Sequence, residues 1–207
     1  MDLRYDRLDP LPREFYRRET VSVARDLLGK TLVRAVGGEV LLGKIVETEA
    51  YKGLSDPASH AYKGNRGRAS IMFGEVGYAY VYFTYGNHFC MNVVAKSRRA
   101  KAGAVLIRSL EPLYGVGRML ANRGGVEEWE VSRGPGNLTK ALSIDRSFNG
   151  HDLTRRGELF VAGELDQTGI EDRIESSTRI GIRRATTKKW RFYVSGNRCV
   201  SRYTLKT

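Results

Sequence analysis

Residues 77–95 read GYAYVYFTYGNHFCMNVVA, and no other stretch restricts the fold as much. Tyr78, Tyr80 and Tyr82 alternate with Ala79, Val81 and Phe83, Gly86-Asn87 interrupts the run, and a second apolar stretch follows. Successive side chains of a strand point to opposite faces, and a Gly-Asn pair between two such runs marks a hairpin. A lone hairpin is marginal in water, so further strands must pair with it. KTLVRAV (30–36), EVLLGKIVETEAY (39–51) and AGAVLIRSL (102–110) supply them, with Gly-rich joints between. REFYRRETVSVARDLLGK (13–30) sets Phe15, Val21, Val23, Ala24, Leu27 and Leu28 on one face of a predicted helix that stops at Gly29. A second helix is predicted to begin in GPGNLTKALSI (134–144) with Asn137 as its cap. The tail WRFYVSGNRCVSR (190–202) alternates again and reads as a final hairpin with its turn near Gly196-Asn197. Repeats and long linkers are absent, so residues 1–207 are expected to form one α+β domain.

Several classes fall away. Cys90 and Cys199 are the only cysteines and lie far apart, which argues against a metal cluster or a disulfide framework. The N-terminal MDLRYDRLDPLPREFYRRET holds no apolar segment, and no run is long enough to cross a bilayer; a soluble intracellular protein is expected. GKT at 29–31 is not a phosphate-binding loop, because Ala24 stands where that loop needs glycine. NLT at 137–139 has the spacing of a glycosylation site that an intracellular chain does not use. The charge is informative: 35 Lys and Arg against 23 Asp and Glu give a formal net charge of +12. Such a surface attracts polyanions, among them DNA, RNA and anionic membranes.

Against that excess of positive charge, IVETEAYKG (45–53) places Glu47 and Glu49 two positions apart in a strand, with Tyr51 next on the same face. Acidic residues are poor strand formers, and neighbours of like charge repel. An edge strand with its charged face in water would explain them. The alternative is a working carboxylate beside an aromatic wall, with its pKa pushed toward neutrality by burial. Tyr85 falls at the hairpin tip. It either covers the turn or serves as a wedge in a base stack, as apolar and aromatic residues on protruding elements do in the minor groove.

VETEAY, DPASHAYKG, MFG, YVYFTYGNHFCMNVV, GAVLIRSLEPL and RGPGNLTKAL occur in this order. The ordered set closely resembles the alkyladenine (3-methyladenine) DNA glycosylase family, from about Pro12 to RFYVSGN near the C-terminus. The resemblance implies a compact domain with a curved antiparallel sheet, flanking helices and a protruding β-hairpin, similar to the C-terminal domain of formyltransferases. It also implies a monofunctional, monomeric base-excision enzyme that needs neither cofactor nor metal. The expected partner is double-stranded DNA containing damaged purines, approached from the minor groove. The damaged purine is flipped out, at a cost of a few kcal/mol that is least for weakly paired lesions, and its glycosidic bond is hydrolysed by water. Position by position, Glu49 matches the general base. Arg108 matches, through its backbone carbonyl, a residue that helps hold the water. Tyr51, His60 and Tyr82 match the walls of the base pocket, Asn92 a gatekeeper against normal guanine, and Tyr85 the residue that fills the gap in the duplex. Glu47 is then structural or a partner of that set.

Parity supplies a check on this assignment. A two-residue turn at Gly86-Asn87 would put Tyr82 and Asn92 on opposite faces of the hairpin. Lining one pocket together requires an odd loop or a bulge in the second strand. The chain departs from the family pattern in NRGRASIMFG (65–74), at Val76 and Asn87, and in the basic turn KSRRAKAG (96–103). Two other readings fit the residues alone: a non-catalytic nucleic-acid-binding module with the same wedge, and a hydrolase of small nucleosides, for which so much positive charge is unnecessary.

Overall fold

The computed structural model describes residues 8–84, 87–165 and 173–201. Eight strands form one antiparallel sheet: β1 (Thr31–Val36), β2 (Glu39–Tyr51), β3 (Ala79–Thr84), β4 (His88–Val94), β5 (Ala104–Tyr114), β6 (Leu159–Ala162), β7 (Ile174–Ser177) and β8 (Arg191–Val194). The main path runs β3-β4-β5-β2-β1-β6, and β8 pairs both β2 and β7. Four short helices flank it: α1 (Arg13–Tyr16), α2 (Thr20–Asp26), α3 (Val116–Arg123) and α4 (Pro135–Ala141). The sequence expectation of an α+β fold with an antiparallel sheet holds. Among the described residues, no helix is long and apolar enough to cross a membrane.

The central strand decides the fate of the two glutamates. β2 is 13 residues long; β5 pairs along one edge, while β1 and then β8 pair along the other. Residues 45–50 are buried throughout, so the edge-strand explanation is wrong: Glu47 and Glu49 sit inside the sheet with no accessible surface. The β2–β5 register slips on either side of Glu47, skipping Val46 on β2 and Arg108 on β5. These are β-bulges, which re-aim side chains and increase local twist. Ile45 and Val46, though consecutive, both join the main core as a result.

That core packs one side of the sheet against the helices, with Tyr16, Val23, Ala24 and Leu27 meeting Val81, Met91, Val93 and Ile107. A smaller cluster, Ala61, Ala69, Met72, Tyr80, Val94 and Ala104, sits apart from it. Alternation along the hairpin sorts its residues between the two: Val81, Met91 and Val93 go to the first, Tyr80 and Val94 to the second.

Three local expectations are corrected. The first helix is broken into α1 and α2. The Tyr16 carbonyl accepts from Lys96 N, and the Thr20 hydroxyl donates to the Ala95 carbonyl, so both pieces dock on the chain just beyond β4 instead of continuing as one rod. Asn137 does not cap α4. Gly134 occupies the N-cap and Pro135 the first helical position, where its missing N–H costs nothing; the Asn137 amide donates to the Arg133 carbonyl. The tail is not a terminal hairpin either, since β8 pairs back onto β7 and β2.

Candidate active site

A row of directly paired residues crosses four strands. Tyr80 on β3 pairs Asn92 on β4, Asn92 pairs Leu106 on β5, and Leu106 pairs Glu49 on β2. Cross-strand partners share a face, so the sheet alone brings these side chains to one surface. Tyr82 pairs Cys90 and Thr84 pairs His88, leaving an odd, three-residue loop at 85–87. Parity is thereby satisfied, and Tyr82 and Asn92 lie on the same face. Tyr85, the expected wedge, and Gly86 lie outside the described residues. Gly136 at the start of α4 approaches the hairpin so closely that an added Cβ would sit 2.8 Å from the His88 ring.

On this face lies a cavity of about 360 Å³, lined among others by Tyr51, His60, Tyr82, Asn92 and Arg108. The His60 ring meets Tyr82 edge-on, with centroids 4.8 Å apart, and Tyr82 leans on Tyr80 at 5.0 Å. His60 Nδ1 and the Tyr80 hydroxyl share a 2.8 Å hydrogen bond. Burial, with Arg68 nearby, lowers the His60 pKa, so the imidazole is neutral at pH 7. Burial also raises the phenols of Tyr80 and Tyr82, which keep their protons. Asn92 is pinned, its amide donating to the Tyr80 carbonyl at 3.0 Å.

Glu49 lies directly behind this wall. Its Oε2 accepts from the Tyr51 hydroxyl at 2.7 Å, its Oε1 accepts from Ile180 N at 2.7 Å, and Arg108 Nη1 stands 3.3 Å from Oε1. Tyr51, Ile180 and Arg108 all border the cavity, whereas Glu49 itself is not among its lining residues and has no accessible surface, standing behind the groups that hold it. Burial, then the adjacent Glu49, pushes the Tyr51 phenol well above its ordinary pKa and makes it a dependable donor. As expected, Glu47, Glu49 and Tyr51 occupy one side of β2.

Sequence reasoning missed part of the site. Tyr80 and Cys90 were within reach, since each is two residues from an assigned wall residue on its own strand. The segment 180–184, IGIRR, also lines the cavity but carries no periodicity to announce it. It is anchored by Arg179, whose fully buried guanidinium makes a two-pronged ion pair with Asp56 at 2.5 and 2.8 Å. The same guanidinium lies over the Tyr51 and Trp190 rings, at 4.7 and 5.1 Å. Asp56 also accepts from Lys52 N and Ala58 N, so this one pair ties the loop leading to His60 to the segment that caps Glu49. Among the described residues, no three His, Cys, Asp or Glu side chains come together as metal ligands.

Comparison with known proteins gives this geometry its context. Residues 14–198 match the family model described as methylpurine-DNA glycosylase (MPG). A protein of Carboxydothermus hydrogenoformans is 48% identical over 192 residues, covering 93% of this chain and 98% of its own. One from Natranaerobius thermophilus is 42% identical over 197 residues, with 92% and 98% covered. One from Methanoculleus marisnigri is 45% identical over 194 residues, with 93% and 98% covered. All three carry the name "Putative 3-methyladenine DNA glycosylase". By these matches the chain is a DNA glycosylase, a class of base-excision DNA repair enzyme. The chain belongs to the methylpurine-DNA glycosylase family.

Proposed function

We propose that this protein removes alkylated or deaminated purines from duplex DNA by extruding the damaged nucleotide into the Tyr51–His60–Tyr82 cavity and hydrolysing its N-glycosidic bond. The observation that carries this reading is Glu49: a fully buried carboxylate, held from three sides, directly behind a cavity walled by aromatic rings. The rings give a flipped base stacking surfaces worth about 1–3 kcal/mol each. The neutral His60 and the fixed Asn92 amide are polar groups suited to reading its edge. Bulk at Asn92 crowds the exocyclic amine of a normal guanine.

The chemistry follows from the contacts. An ionised carboxylate offers about four acceptor sites. On Glu49, Ile180 N donates to Oε1, beside which Arg108 Nη1 stands at 3.3 Å. The Tyr51 hydroxyl takes one site on Oε2, which has no second donor among the described residues and so keeps a lone pair for water. A water held there and at the Arg108 carbonyl loses its proton to Oε2 as its oxygen bonds to C1′. The C1′–N bond breaks, and the pair of electrons leaves with the base. An N3- or N7-alkylated purine carries a positive charge and departs neutral, without further proton transfer. The sugar passes through an oxocarbenium-like state that a neighbouring carboxylate stabilises. Among the described residues no lysine lines the cavity, which fits attack by water and no strand cleavage. The hairpin enters the minor groove as a monomer's single probe, with Tyr85 in the gap left by the extruded base.

Duplexes each bearing one lesion (3-methyladenine, 7-methylguanine, ethenoadenine or hypoxanthine) test the reading. Incubation should leave abasic sites that break only after alkali. Breaks before alkali would refute the monofunctional assignment, and no release from any lesion would refute the activity.

A further inference from the structure

Glu47 plays no part in the chemistry above, yet among the described residues five hydrogen bonds converge on its carboxylate. Its Oε1 accepts from Arg108 Nε at 2.8 Å, Arg191 Nε at 2.7 Å and the Ser201 hydroxyl at 2.7 Å. Its Oε2 accepts from the Ser109 hydroxyl at 2.8 Å and Ser201 N at 2.9 Å. Buried ion pairs are often no more stabilising than apolar residues of the same volume, so stability alone is a poor reason for one in a sheet centre. The geometry of Arg108 supplies a better one. A guanidinium is a rigid plane, and fixing its Nε edge fixes where its Nη atoms point. Glu47 holds that edge, and Nη1 is left facing Glu49 at 3.3 Å. The bulge at Arg108 completes the arrangement, because it brings one arginine within reach of both glutamates.

We propose that Glu47 is a positioning residue that acts through Arg108, setting the guanidinium against Glu49 so that cation and carboxylate keep a fixed geometry beside the cavity. Arg191 on β8 and Ser201 close the other side of Glu47, which couples the C-terminal part of the chain to the same carboxylate. The inference rests on the glycosylase reading of the site.

The test compares wild type, Glu47→Gln, Glu47→Asp and, as a control for loss of a distant ion pair, Asp152→Asn, which breaks the pair with Arg13. Single-turnover base release is measured on the lesion that wild type excises fastest. Equilibrium binding is measured on a duplex with an abasic-site analogue, and melting is followed for each protein. Release should fall by about tenfold or more in Glu47→Gln and about threefold or more in Glu47→Asp, while binding stays within about threefold. Asp152→Asn should melt lower but keep its rate. Glu47 variants that fold, melt lower and release base at the wild-type rate would overturn the proposal. If Glu47→Gln does not fold, Glu47→Asp decides, and failure of both to fold assigns Glu47 to the fold alone. Wild type that releases nothing overturns the glycosylase reading as well, whereas normal turnover with unaffected Glu47 variants overturns only this inference.

Discussion

Two residues apart on one strand, Glu47 and Glu49 have the same side chain and opposite surroundings. Glu47 is saturated by two arginines and two serines. Burial alone would raise its pKa, but Arg108 and then Arg191, with Ser201, outweigh that and hold it at about 2. Among the described residues, Glu49 Oε2 has a single donor, the Tyr51 hydroxyl. Tyr51 is the residue that joins Glu49 to the cavity: its ring is a wall and its hydroxyl is a donor to the acid. Tyr51→Phe keeps the ring and deletes the donor. Hydrogen bonds to charged groups are worth about 1.5–3 kcal/mol, so single-turnover release should slow by roughly ten- to a hundredfold with little change in lesion binding. A loss confined to binding would show that the hydroxyl reads the base and does not hold Glu49.

At the scale of elements, the hairpin and the two segments pinned by Arg179 do separate work. Tyr85→Ala should weaken binding to a lesion duplex by about 1–3 kcal/mol, the value of one stacking contact, and leave melting unchanged; unaltered affinity in a titration would remove the wedge. Arg179→Ala leaves Asp56 buried without its cation, so chemical denaturation should show a loss of about 3–5 kcal/mol. Any folded remainder should release base slowly, because Ile180 N loses its anchor. These elements also differ in how far the sequence announced them. The hairpin was legible because Tyr78, Tyr80 and Tyr82 alternate with Ala79, Val81 and Phe83 before Gly86-Asn87, while parity asked for an odd loop or a bulge and the register shows the odd loop. The break between α1 and α2 was hidden, since it depends on Thr20 meeting Ala95, 75 residues on. The Arg179–Asp56 clamp was hidden for the same reason, its partners lying 123 positions apart in the chain. Glu47 and Glu49 were found by position, but whether water or protein surrounded them depended on β8 covering the far edge of β2.

For the molecule as a whole, the buried charges fix a pH dependence. Glu47 has an ordinary pKa of 4.5 when unfolded and about 2 when folded. The unfolded chain therefore binds more protons in between, and stability rises with pH across that window. The contribution, about 3 kcal/mol, is complete above pH 4.5 and lost as pH falls toward 2. His60, lowered below 6.5 in the folded state, adds a loss of the same sign at milder acidity. Denaturant melts from pH 7 to 2 should show this fall, and Glu47→Gln should flatten its lower part; a variant that falls as steeply as wild type would contradict the assignment. The formal net charge of +12 acts outside the fold, supplying the attraction to DNA phosphates on which the cavity depends.

Glu49 is proposed to perform the chemistry without being needed for recognition. Glu49→Gln preserves shape and most hydrogen bonding while removing the proposed base. Single-turnover release by this variant, measured beside its affinity for the same lesion duplex, is the most direct test. The expected result is a fall of about 10²–10⁴ in rate, the usual value of a general base, with affinity nearly unchanged. Release at close to the wild-type rate would contradict the account.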